Sequence, residues 1–195
     1  MDIQRQSLLK NPTFFAILFA LAIFSSYLFI NWPSLALQVQ YITGTLSESR
    51  QLTADSYLEI PKIHLRAPLI LADESQKDNL APLLLQGVIH HPETPLPTQG
   101  GNGVYIGHSS NYWWQTSDYN TVFTLLDKLK IGDEIIISYE NDLYHYAVTE
   151  RQTVGKNSQE IFRPADGENS EITLVTCWPN GTDLKRFFVR ARINE

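Results

Sequence analysis

EITLVTCWPNGTDLKRFFVRARI, residues 171–193, reads as two β-strands joined by a connection. The first strand runs from Glu171 and closes on Cys177, the only cysteine in the chain. The second opens on Arg186 and continues through Phe187-Phe188-Val189 to Ile193. Both are short, apolar and rich in β-branched or aromatic residues, the composition of a buried strand. By the two-residue period of a strand, Arg186, Arg190 and Arg192 share one face, as solvated arginines on a strand commonly do.

Working back toward the amino terminus, the same kind of segment recurs. Asn141-Asp142 is a hairpin turn between strands at Glu134–Tyr139 and Leu143 to about Thr153. Asn120–Leu129 has the spacing of one or two helical turns, with Val122, Leu125, Leu126 and Leu129 on one side. Gly103–His108 is a brief strand ending on a histidine, preceded by the turn-rich loop Pro92–Gly103. Further strands are read at Gly87–His91, Leu65–Leu71 and Tyr57–Ile63. The last of these is expected at a sheet edge, because it carries Pro61. Leu80–Leu85 is a short helix that starts near Pro82. Seven or eight short strands with only brief helices between them predict a mainly β protein, a closed or nearly closed barrel.

Ahead of the barrel, no charged residue occurs from Asn11 through Ser47. Within that stretch Phe14–Ile30 is almost wholly apolar, and a helix of about 17–25 such residues crosses a bilayer. Trp32 and Tyr27 suit one interface, and Arg5 and Lys10 precede the segment. These features predict a membrane anchor with the amino terminus in the cytoplasm and the rest of the chain outside. The rival is a cleaved signal peptide at Ser34-Leu35-Ala36, although signal cores usually run about 7–15 residues. The expected organisation is a cytoplasmic segment 1–12, an anchor 13–35, a polar linker 36–55 and a catalytic barrel 56–195.

A net charge of -6 disfavours nucleic acid as a partner. A single thiol excludes an intramolecular disulfide framework and any zinc site built on several thiolates. No cofactor or metal is called for, and a calcium requirement is left open.

An unpaired thiol on an exported protein is either a buried small hydrophobe or a nucleophile. A free thiol is only about 3% thiolate at pH 7, so attack needs a nearby base. Attack on an amide also needs a donor for the developing oxyanion. His108, Cys177 and Arg186 supply the three groups from strand ends, where a rigid sheet positions side chains well. His64, His90, His91 and His145 read as strand or loop-surface residues.

TLVTC (173–177) followed by WPNGTDLKRFFVRARI (178–193) resembles the signature of the sortases, cysteine transpeptidases of the bacterial surface. GNGVYIGH (101–108), LEIPKIHLRAPLI (58–70) and LDKLKIGDEIII (126–137) also look like sortase segments. The resemblance spans about residues 57–193 and implies an eight-stranded barrel. It implies Cys177 as nucleophile, His108 as proton donor and then base, and Arg186 as the residue holding the substrate backbone or oxyanion. Thr176 is implied as a contributor to the same cleft, with simple strand packing as the alternative. The implied substrate is a surface protein with a C-terminal sorting signal of the Leu-Pro-x-Thr-Gly kind, cleaved through a thioester. The acceptor would be an amine from a peptidoglycan precursor or a pilin subunit.

Two other readings stand beside this one. Water could resolve the thioester, making the protein a peptidase, or the barrel could bind extended peptides without chemistry. Papain-like enzymes are disfavoured, because their cysteine precedes the histidine. The aromatic loop Ser109–Thr121 serves either as a wall over the cleft or as a cover for barrel hydrophobics. Residues 31–56 lack the Asp-Pro-aromatic lid motif of pilin-type sortases.

Overall fold

Eight strands close on themselves in the computed structural model, which describes residues 12–47, 56–111, 115–165 and 170–194. They are β1 (Tyr57–Ile60), β2 (Leu65–Leu71), β3 (Val88–His90), β4 (Gly101–Ile106), β5 (Glu134–Tyr139), β6 (Asp142–Gly155), β7 (Ser170–Trp178) and β8 (Lys185–Ile193). Around the barrel they run β1-β2-β3-β4-β7-β8-β6-β5, with β5 returning to β1. The β2–β3 and β4–β7 pairs are parallel and the rest antiparallel. Closure leaves no edge, so β1 is paired on both sides rather than lying at a sheet edge. Pro61 falls just beyond it, opening a 3-10 turn where its missing N–H costs nothing.

Period-two alternation sorts β7 and β8 into two faces. Ile172 and Leu174, with Phe187, Val189 and Ala191, point into the barrel core beside Leu58, Ile137 and Tyr146. Val175 and Phe188 point outward, yet they too are buried. The 3-10 turn Gln159–Phe162 lays Ile161 over them and Val104 in a second, smaller cluster. Fully burying one such side chain is worth about 1.5–3 kcal/mol, so the loop between β6 and β7 is anchored by packing.

The same cover overturns the solvated face read for the three arginines. They do share a face, but Arg190 is only 1% exposed. Its guanidinium pairs with Glu150 at 2.7 Å and donates to the Glu160 carbonyl at 2.7 Å and to Thr173 Oγ1 at 3.3 Å. A buried charge persists only when it is paired in this way. Arg192 pairs instead with Glu171, and Arg186 with Asp183.

Two helices precede the barrel. α1 (Pro12–Ile30) has 19 residues, is apolar on all sides and buries none of them; it is long and apolar enough to cross a membrane. α2 (Trp32–Thr43) occupies much of the stretch read as a polar spacer. Ser34 is buried, and Leu37 and Tyr41 pack on the barrel core, joined by Leu46 beyond the helix. Gly44, at φ 67°, ends the helix in the left-handed conformation that glycine adopts without strain.

The helical turns expected over Asn120–Leu129 are a run of turns with one 3-10 segment, Leu126–Lys128. The apolar residues named there are nevertheless buried, as their spacing implied. Leu80–Leu85 likewise holds only the 3-10 turn Leu83–Leu85. Arg5, Lys10, residues 48–55 of the linker, Tyr112, Trp113 and Trp114 lie outside the described residues.

Candidate active site

The register of three strands brings the three named side chains to one end of the barrel. On β7 and β8, Cys177 and Arg186 are direct antiparallel partners. On β4 and β7 the parallel ladder reaches Ile106↔Val175. Gly107 N–H then donates to the Val175 carbonyl at 3.2 Å. Two residues past that last pair stand His108, just beyond the end of β4, and Cys177, still on β7.

The turn carrying His108 is held from several directions. Its carbonyl accepts from Phe123 N–H at 2.8 Å. The next carbonyl, of Ser109, accepts from Ser34 Oγ of α2 at 3.0 Å and from Thr124 Oγ1. Gly107 is required by space: a Cβ there would lie 2.5 Å from the Phe123 ring and 2.8 Å from Val122. Asn111 Nδ2 stands 3.5 Å from His108 Nε2 and donates to Asn120 Oδ1 at 2.9 Å.

His108 and Cys177 line one cavity of about 320 Å³, together with Ser110, Asn111, Gly181, Thr182 and Asp183. Ile30 and Asn31, at the junction of α1 and α2, form its other wall. Asn31 packs so closely that a side chain at Gly181 would meet its Oδ1 at 1.8 Å. Gly181 N–H in turn donates to Ser110 Oγ at 2.9 Å, and Asn180 Nδ2 to the Thr124 carbonyl at 3.0 Å. The connection between β7 and β8 is therefore fastened to the loop that carries the histidine.

Arg186 meets this cavity through Asp183. Its Nη1 donates to Asp183 Oδ1 at 2.5 Å, and Cys177 Sγ donates to the same oxygen at 3.5 Å. Lys156, just past β6, grips the other carboxylate oxygen. Lys156 and Arg186 together hold the Asp183 carboxyl down at about 2. Burial pushes the Cys177 thiol up; the Arg186 charge opposes that push and the Asp183 charge adds to it. Burial also lowers His108. The favoured resting pair is thus a neutral thiol and a neutral imidazole.

Thr176 faces the opposite way from Cys177. Its Oγ1 donates to the Gly107 carbonyl at 2.8 Å, it is buried, and it is not among the residues lining the cavity. Of the other histidines, His90 is a strand residue, buried within β3 with Nε2 3.0 Å from the Pro95 carbonyl. Among the described residues no group of three or more His, Cys, Asp or Glu is arranged to hold a metal.

The sortase domain family model matches residues 58–194, which is most of the chain. The chain belongs to the sortase family. Sortase A of Bacillus anthracis is 29% identical over 132 residues, 68% of this sortase. This chain spans only 56% of that relative's length. Sortase A from Corynebacterium diphtheriae, a lid mutant, superposes with a TM-score of 0.61 at 22% identity, covering 84% of this chain and 92% of that one. Clostridium perfringens sortase C, solved with the C-terminal cell wall sorting motif, gives a TM-score of 0.60 at 23% identity, covering 83% and 85%. At these identities the two structures speak for the shared barrel.

Asp183 and Lys156 were invisible in the sequence reading of this sortase, although both are charged residues near the named triad. A carboxylate three residues before Arg186, inside the connection that follows Cys177, was the available signal. Asn31 and Ser34 lay hidden in the end of the stretch read as anchor; Ser34, Leu37 and Tyr41 have the i, i+3, i+7 spacing of a helix face.

Proposed function

We propose that this sortase is a membrane-anchored, extracytoplasmic cysteine transpeptidase. Cys177 as thiolate attacks the carbonyl between threonine and glycine of a Leu-Pro-x-Thr-Gly-like sorting signal. Negative charge then gathers on the carbonyl oxygen, where Arg186 can hold it or the neighbouring backbone. Protonated His108 gives its proton to the departing glycine amine as the C–N bond breaks, leaving a thioester on Cys177. An amine then adds to the thioester and loses its proton to His108. The thiolate leaves, and the new amide joins the surface protein to its acceptor.

The observation that carries this reading is the convergence of His108 and Cys177 on one cavity, with Arg186 paired opposite Cys177 across β7 and β8. The Clostridium perfringens sortase C structure with the C-terminal cell wall sorting motif supports the substrate class. A peptidoglycan precursor or a pilin lysine fits the acceptor role. α1 serves as the anchor, with Arg5 and Lys10 on the cytoplasmic side.

The test uses the detergent-solubilised full chain, a labelled sorting peptide and an amine acceptor. Ligated product, with a trapped Cys177 thioester seen by mass spectrometry, supports transfer. Free acid alone makes the protein a peptidase. No adduct, and behaviour unchanged in Cys177→Ala, makes it a peptide-binding barrel.

A further inference from the structure

Asp183 stands between two groups that the proposed reaction needs. One of its oxygens accepts from both Arg186 Nη1 and Cys177 Sγ, while the other is taken by Lys156. Asp183 lines the cavity and Arg186 does not. A peptide entering that cavity therefore meets the carboxylate before it meets the guanidinium.

We propose that Asp183 is a positioning residue whose carboxylate competes with the peptide substrate for Arg186 and keeps the Cys177 proton in place until that exchange occurs. The inference rests on the transpeptidase reading for its peptide, but its electrostatic half concerns the thiol alone. Among the described residues, four titratable or charged groups surround Cys177: His108 beyond β4, Lys156 beyond β6, Asp183 in the β7–β8 connection and Arg186 on β8. The α1–α2 junction adds only the uncharged Ile30 and Asn31. A negative charge touching the sulfur disfavours thiolate, and an arginine neutralised by a carboxylate gives the thiolate little help. A peptide that takes over Arg186 frees the guanidinium to face the sulfur and the developing oxyanion. The bond also keeps Arg186 extended toward the site, so Asp183 orients the residue that it restrains. Because Lys156 and Arg186 hold it ionised far below neutrality, Asp183 acts as a fixed charge and does not titrate in the working range.

The experiment measures alkylation of Cys177 by iodoacetamide against pH in the full chain, for Asp183→Asn and Lys156→Met. Asparagine keeps the size and one acceptor oxygen while removing the charge. Its alkylation rate at pH 7 should rise about 3- to 10-fold, corresponding to a thiol pKa lower by roughly half to one unit. Lys156→Met removes one of the two cations that offset the Asp183 charge and should slow alkylation. Opposite signs separate electrostatics from loosening, which would speed alkylation in both variants. In the transfer assay Asp183→Asn should lower KM for the peptide, and Asp183→Glu should restore the parent thiol titration. Equal or slower alkylation in Asp183→Asn, or acceleration in both variants, overturns the proposal. An alkylation shift without peptide transfer would instead sink the transpeptidase reading and leave the electrostatic assignment standing.

Discussion

Thr176 Oγ1 donates to the carbonyl of Gly107 at 2.8 Å and so ties the strand of Cys177 to the turn of His108. The bond is buried, and removing its donor strands a carbonyl away from water, at a cost of about 1–3 kcal/mol. Thr176→Val should lose roughly that much stability in urea unfolding and reduce kcat by misplacing His108. Thr176→Ser should retain both. Equal kcat in Thr176→Val would show that the bond does not position the histidine.

Cys177 and Arg186 face each other across β7 and β8. Loss of one oxyanion donor typically costs on the order of 10²–10³ in rate. Arg186→Ala should fall by that factor in peptide transfer, and Arg186→Lys should recover little, since lysine lacks the planar fork. Steady-state kinetics with a sorting peptide decide the point.

The proposed reaction requires His108 protonated and Cys177 ionised together, yet burial moves the two groups in contrary directions. Below the histidine pKa, falling pH removes thiolate; above the thiol pKa, rising pH removes imidazolium. Between them the competent form is constant, at under about 1% of the protein for a gap of two pKa units or more. The kcat/KM profile should therefore be broad. Its acid limb should lie below the ordinary histidine value and its alkaline limb above the ordinary cysteine value. A narrow profile centred on pH 7 would contradict this assignment.

Arg190 sits beneath the β6–β7 loop with Glu150 and the Glu160 backbone as partners. Breaking a buried pair by removing one member costs about 3–5 kcal/mol, less here because Glu150 is partly exposed. Arg190→Ala should unfold at lower urea and be cut faster by protease between residues 156 and 165. Unchanged cleavage would mean that Ile161 packing alone secures the loop.

The barrel was legible because β7 and β8 alternate cleanly and their neighbours repeat the pattern. The candidate site was legible only where its residues stand at or just past strand termini: His108, Cys177 and Arg186. Their partners were not, because Asp183, Lys156 and Asn31 act through contacts made across the chain. The arginine pattern misled for a related reason. Parity assigns Arg190 to a face but cannot show that Ile161 and Glu160 cover it. The helix α2 was missed because Ser34, Gln38, Gln40 and Thr43 interrupt its apolar residues, and most of it was taken with the polar segment that follows.

Ile30, the last residue of α1, and Asn31 beside it form a wall of the cavity lined by His108 and Cys177. With α1 as the proposed span, the proposed bond exchange would be confined to a thin layer against the lipid headgroups. Partners would then meet the enzyme by lateral diffusion in two dimensions. A cleavable sequence displayed far from that layer, at the tip of a long extracellular protein, would go untouched however well its residues matched.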